Sequence, residues 1–128
     1  MSRQIRSGNG WRIGWDSAAE HFCALVSGET WSVELTASEF VDLCQGVHNL
    51  SNTMAEMVDQ LMDAERLMCE QTTETIWIEA EGFPTEYGLR FILLTGRGAE
   101  GAWPAVVVPE LLTALHDLTH FLKLNSSN

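Results

Sequence analysis

The longest run of regular hydrophobic spacing covers residues 36–70. Counted as heptads from Phe40, one seam reads Phe40, Val47, Met54, Leu61 and Met68, and a second reads Leu43, Leu50, Met57 and Ala64. Every seam position is apolar, whereas Asp42, Gln45, Asn49, Asn52, Glu56, Asp59, Asp63, Arg66 and Glu70 fall on the opposite side. This spacing predicts one long central amphipathic helix. Thr36 and Glu39 stand three apart as a capping box at its start.

Length makes that helix informative. At roughly 1.5 Å per residue it is a rod of about 50 Å, while a compact domain of this size has a radius of gyration of about 14 Å. The outer half therefore needs a break or a partner. Asn49, Ser51 and Asn52 are poor helix formers, and Thr53 with Glu56 offers a second capping box, so a break within residues 49–53 gives a folded-back monomer. The other solution is a homodimer in which Met54, Met57, Leu61 and Met68 of two copies cover one another across a two-fold axis. The unbroken seam past Leu50 favours the homodimer. A parallel coiled coil is not expected, because the flanking Gly46, Ser51, Thr53, Val58 and Gln60 lack charges.

Shorter patterns flank the helix. Residues 11–15, 21–26 and 31–35 read as strands, with turns at Ser7-Gly8-Asn9-Gly10 and Ser27-Gly28-Glu29-Thr30. Trp31, Val33 and Leu35 alternate with Ser32 and Glu34, as a half-buried antiparallel strand requires. Strand signals return at 75–78, 87–95 and 103–108. Pro109 and Glu110 then suit the first turn of a last helix carried by Leu112, Leu115, Leu118 and Leu122. The class is α+β with antiparallel sheets. Laying residues 31–50 over 103–122 matches Trp31 with Trp103, Phe40 with Leu112, Leu43 with Leu115 and Leu50 with Leu122, without a gap. The chain thus reads as a single domain, 1–128, of two pseudo-repeated strand-strand-strand-helix halves, about 1–70 and 71–124.

Composition narrows the setting. The 128 residues can bury a real core, and five tryptophans argue against disorder. No apolar run approaches the roughly 20 residues of a membrane span, so no membrane contact is expected. Cys23, Cys44 and Cys69 are an odd set without a CxxC pair, which points to a reduced, cytoplasmic setting. The net charge is −11, and its placement matters more than its total. Arg3, Arg6 and Arg12 occupy the first fifteen residues without an acid, whereas residues 56–86 hold nine acids against Arg66 alone. An acidic total opposes nucleic-acid binding, and the acidic stretch reads first as a solvated face.

Several phrases carry a resemblance. Arg3-Gln4-Ile5-Arg6-Ser7-Gly8-Asn9-Gly10-Trp11-Arg12-Ile13-Gly14-Trp15 is similar to the opening of a family of small cyanobacterial proteins that is known only as a domain of unknown function. Glu81-Gly82-Phe83-Pro84, Leu89-Arg90-Phe91-Ile92-Leu93-Leu94-Thr95-Gly96-Arg97-Gly98, Trp103-Pro104 and Pro109-Glu110-Leu111-Leu112 are similar to it as well. That family's fold looks like the Whirly and positive-cofactor-four group of single-stranded DNA-binding transcription regulators. The resemblance implies curved sheets, strand-strand-strand-helix units and helix-mediated association, and supplies no catalytic residues.

Candidate chemistry is sparse. Residues 96–101 match G-x-G-x-x-G after a strand, but a dinucleotide site needs a helix there. Trp103-Pro104 follows instead, so the run reads as a hairpin loop. His116 and His120 have the spacing of a two-histidine zinc face without a third ligand nearby, and read as solvated histidines near a helix C-terminus. The cysteines read as small apolar groups, and no nucleophile or acid/base pair is recognisable, so no enzyme, cofactor or metal is expected. Two binding readings remain. One is a non-enzymatic homodimeric interaction or regulatory protein that holds a protein partner. The alternative is a single-stranded nucleic-acid-binding regulator using Arg3, Arg6, Trp11, Arg12, Trp15, Arg90 and Arg97, in which guanidinium groups pair with phosphates and indoles stack bases.

Overall fold

Alternation of apolar and polar residues sets the inward face of every strand. The computed structural model describes residues 3–58, 60 and 65–126. Strands β1 (Arg3–Gly8), β2 (Trp11–Asp16), β3 (Ala24–Ser27) and β4 (Ser32–Leu35) form a first antiparallel sheet in that order. Helix α1 (Ala37–Met57) follows. Strands β5 (Leu67–Thr72), β6 (Ile76–Phe83), β7 (Glu86–Leu93) and β8 (Glu100–Trp103) form the second sheet, and α2 (Val108–Ser126) closes the chain. In the first sheet Trp11, Ile13, Ala24, Val26 and Leu35 are buried. In the second, Ile76, Ile78 and Ala80 are buried between the partly exposed Trp77, Glu79 and Glu81.

The helices cross over. α1 packs mainly on β5 and β6 of the second sheet, while α2 reaches β1 and β2 of the first and keeps contact with β7 of the second. Phe40, Leu43, Val47, Leu50 and Met54 form the buried stripe of α1. Leu111, Ala114, Leu115 and Leu118 form that of α2, and the two helices touch. Each half thus supplies the lid of the other.

The sheets join where β4 approaches β8. Trp31, just before β4, donates its indole N–H to the carbonyl of Ala102 at 3.0 Å, and Trp103 donates to the carbonyl of Ser27 at 3.0 Å. The rings lie 5.1 Å apart at 59° and share Phe91 as a neighbour. A tilted aromatic cluster of this kind adds about 0.5–1.5 kcal/mol per pair beyond its area. Gly101 admits the Trp31 ring: a Cβ there would stand 2.5 Å from two of its ring carbons.

The α+β class, the antiparallel sheets and the long central helix are as the sequence predicts. The helix is shorter than the heptad pattern suggests, and each sheet has a fourth strand. No break occurs at residues 49–53; Thr53 bonds back to the Asn49 carbonyl at 3.0 Å instead of capping a new helix. Met68 and Glu70 belong to β5, opposite Glu81 and Glu79 of β6. Leucine and methionine fit a strand as well as a helix, and the partner strand that decides between them is distant in sequence. The expected interface residues are consequently dispersed. Met54 is fully buried in the core, Met57 ends α1, Met68 is 65 % exposed on β5, and Leu61 lies outside the described residues. The strand expected over 103–108 is also displaced: β8 stops at Trp103, since Pro104 lacks the N–H to extend the ladder.

Gly101→Ala is expected to shift the urea unfolding midpoint downward with an unchanged m-value, by about 1–3 kcal/mol from overpacking against Trp31.

Candidate interaction surfaces

Residues grouped by sequence as an arginine/tryptophan strip are separated by the fold. On β2, Trp11 and Trp15 share the inward side with Ile13. Trp11 is 8 % exposed and donates to Glu110 at 3.0 Å, while Trp15 packs against Phe40 with ring centroids 5.7 Å apart. Trp11 thus offers no free face on which bases can stack, and Trp15 is partly buried against the core. Arg6 lies over Phe121 of α2 and bonds Gln4. Arg90 lies over Trp77 and beside Glu79 at 3.7 Å. Only Arg3 and Arg12 share an open surface, on the outward side of the first sheet.

Arg97 has a structural post. It reaches back from the β7–β8 loop to Glu39 at the start of α1. Glu39 is 2 % exposed, the one charged residue buried among those described. Its Oε1 accepts from the Thr36 backbone N–H at 2.9 Å and from Arg97, and its Oε2 accepts from the Thr95 hydroxyl at 2.6 Å. Arg97 also donates to the Glu34 carbonyl at 2.8 Å and lies over Phe22. The expected Thr36/Glu39 capping box is present, with the Glu39 N–H bonded to the Thr36 hydroxyl. The sequence reading missed the second half of the arrangement, a carboxylate shared between a helix cap and a distant loop. Burial raises the Glu39 pKa, but the Thr95 hydroxyl, the Thr36 N–H and the Arg97 charge outweigh it and hold the carboxyl below its ordinary value.

The glycine-rich run is the β7–β8 connection, with Gly96 and Gly98 at φ 91° and 67°, so it turns a hairpin where a dinucleotide motif would open a helix. His116 and His120 are exposed on α2, and His116 faces Asp117 at 3.9 Å. Among the described residues no three His, Cys, Asp or Glu side chains are grouped to hold a metal ion. All three cysteines are free. Burial pushes the Cys44 thiol up to about 11, which keeps it protonated and unreactive, and burial also raises Cys23. Among the described residues no helix is long and apolar enough to cross a membrane.

Two outward sheet faces stay open, and they differ in charge. On the second sheet, cross-strand rows place Thr72, Trp77, Ile92 and Glu100 side by side, then Glu70, Glu79, Arg90 and Ala102. Met68 and Glu81 begin the next row, which Arg66 closes by bonding Glu81. Carboxylates outnumber cations here, and the exposed Met68 stands at the free edge. On the first sheet one row reads Ile5, Gly14, Leu25 and Glu34, flanked by Arg3 opposite Asp16 and by Ser7 opposite Arg12. A shallow groove of about 250 Å³ runs over Gly14.

Two crossed sheet-and-helix units, joined by the Glu39–Arg97 ion pair and presenting outward sheet faces, define an α+β protein. The chain belongs to the family described as Domain of unknown function (DUF1818), whose profile matches residues 6–118. It is also similar to a solved structure, described as a protein with unknown function from DUF155 family from Prochlorococcus sp. NATL2A. That likeness has 32 % identity, covers 90 % of this chain and 98 % of the other, and has a TM-score of 0.85. No curated protein sequence matches.

The Glu39 cluster gives a pH dependence with a definite sign. A carboxyl held below its ordinary 4.5 contributes stability that is fully present above that value and is lost as pH falls through the lower folded value. Urea unfolding is therefore expected to weaken on acidification below about pH 4.5, and Glu39→Gln should flatten that slope. At neutral pH the same variant should cost about 1.5–3 kcal/mol, the range for hydrogen bonds to a charged group. An unaltered acid slope in Glu39→Gln assigns the dependence to other carboxylates.

Proposed function

We propose that this is a non-enzymatic, homodimeric interaction or regulatory protein whose partner is another polypeptide, docking on the open face of the second sheet. One observation carries the reading: Met68 is 65 % exposed on that face, opposite Glu81, and the row of Glu70, Glu79 and Arg90 separates it from the half-buried Trp77 and Ile92, with Glu100 beyond them. Apolar side chains interleaved with an excess of carboxylates suit a basic polypeptide segment, because complementary charge steers the encounter and apolar contact holds it. The non-enzymatic part is supported by where the reactive groups sit. Glu39 and Cys44 are committed to packing, and His116 and His120 stand in solvent. Free thiols at Cys23, Cys44 and Cys69 support a cytoplasmic setting.

The likeness to the Whirly and positive-cofactor-four group enters this reading as a scaffold. It is supported by two four-stranded antiparallel sheets, each followed by a helix. The single-stranded nucleic-acid alternative loses support, since Trp11 and Trp15 are turned inward and Arg6, Arg90 and Arg97 are engaged elsewhere.

Fluorescence anisotropy separates the two. A labelled peptide of alternating lysine and leucine should bind with strong salt dependence, and a single-stranded oligonucleotide should bind weakly at best. Glu70→Gln with Glu100→Gln should weaken peptide binding roughly 2- to 30-fold, as two exposed charge pairs allow. Glu20→Gln with Glu29→Gln, away from this face, should leave it unchanged. Equal loss in both double variants sinks the assigned face. Tight oligonucleotide binding removed by Arg3→Ala with Arg12→Ala establishes the nucleic-acid alternative in its place.

A further inference from the structure

A glycine in the middle of a central strand has a cause. Gly14 sits in β2 between Ile13 and Trp15, where a side chain would ordinarily add packing. Its backbone φ is not positive. A Cβ built on it would meet only the Gln4 carbonyl at 3.6 Å and Ile5 Cγ1 at 3.9 Å, both ordinary contacts. None of the described residues excludes a side chain there. The space above Gly14 is the groove on the outward face of the first sheet, between Ile5 and Leu25. Ile5, at its rim, is 55 % exposed.

We propose that this face is the homodimer interface, with Ile5 of each copy seated over Gly14 of the other. The inference deepens the homodimer part of the function proposed above and rests on it. The occupant follows from size and charge. At about 250 Å³ the groove falls short of the roughly 300–1,000 Å³ of small-molecule pockets. It is sized for one or two docking side chains. Arg3 and Arg12 are balanced on the same face by Asp16 and Glu34, so the surface offers no net positive charge to a polyanion. Neither arginine is ion-paired with another described residue. A face with equal opposite charges and an apolar centre is complementary to itself, and a two-fold axis brings the cations of one copy towards the carboxylates of the other. The second sheet lacks this property: its excess of carboxylates repels a second copy. Face-to-face sheet packing needs side chains that interdigitate, and an Ile5 against a glycine trough supplies that fit.

Sedimentation equilibrium over the micromolar range tests the interface, with circular dichroism reporting the fold of every variant. The wild type should sediment at twice the 14.3 kDa protomer mass. Ile5→Glu and Gly14→Val should each shift the protein to protomer mass with the fold retained. Arg12→Glu and Glu34→Lys should each be monomeric alone, and their equimolar mixture should recover the dimer. A monomeric wild type overturns both this interface and the homodimer reading. A dimeric wild type that keeps its mass in Ile5→Glu and Gly14→Val overturns the interface alone and leaves the homodimer standing.

Discussion

The exchange of two tryptophans between the sheets is the interaction on which the architecture depends. Trp31 reaches from the first sheet to a carbonyl of β8, and Trp103 reaches from the second sheet to a carbonyl of β3. Each indole satisfies its donor across the junction, and Trp103, 2 % exposed, can be buried with its donor paired only when the first sheet is in place. The Trp103 N–H left without a partner in that position costs about 1–3 kcal/mol, which ties its polar contact to the packing of the two sheets. The pair also fixes the angle at which β4 meets β8, and with it where each helix can land.

The Glu39 cluster works at the other end of the same junction. A helix cap, a hairpin loop and the end of β4 are joined through one carboxylate and one guanidinium. A buried charge is tolerated because three donors meet it, two of them on Oε1 and one on Oε2. Asp42 repeats the device one turn later, accepting from Thr73 and Thr75 in the β5–β6 turn. The polar side of α1 is therefore partly a set of fasteners to the second sheet.

What the sequence made legible was local. The capping box, the alternation in β4, the stripe of α1 up to Met54 and the hairpin character of residues 96–101 follow from spacing alone. What it hid was decided by partners far along the chain. Met68 fits the heptad seam as well as a strand, and only the pairing of β5 with β6 chooses. Arg6, Arg90, Arg97, Trp11 and Trp15 form a binding strip on paper, but strand pleating sends the tryptophans inward while the arginines are drawn to scattered acceptors and rings. Gly14 drew no notice, because an unremarkable strand glycine becomes informative only when its surroundings show that nothing requires it. The ungapped match of Trp31 with Trp103 placed together two residues that touch, although sequence spacing gave no sign of the contact.

The crossing of the helices has a consequence for how the chain is made. Emerging from the ribosome, the first sheet and α1 are complete long before β6 exists, yet α1 has its resting place on β5 and β6. Its apolar stripe from Phe40 to Met54 must wait in the open until the second sheet has been synthesised and paired. Because α1 finds most of its contacts on strands made after it, folding is governed by contacts between residues far apart in sequence, which slows it relative to a chain whose helices pack only on their own strands. During that interval the waiting helix is the surface that a nascent-chain chaperone, or another unfinished copy, meets first.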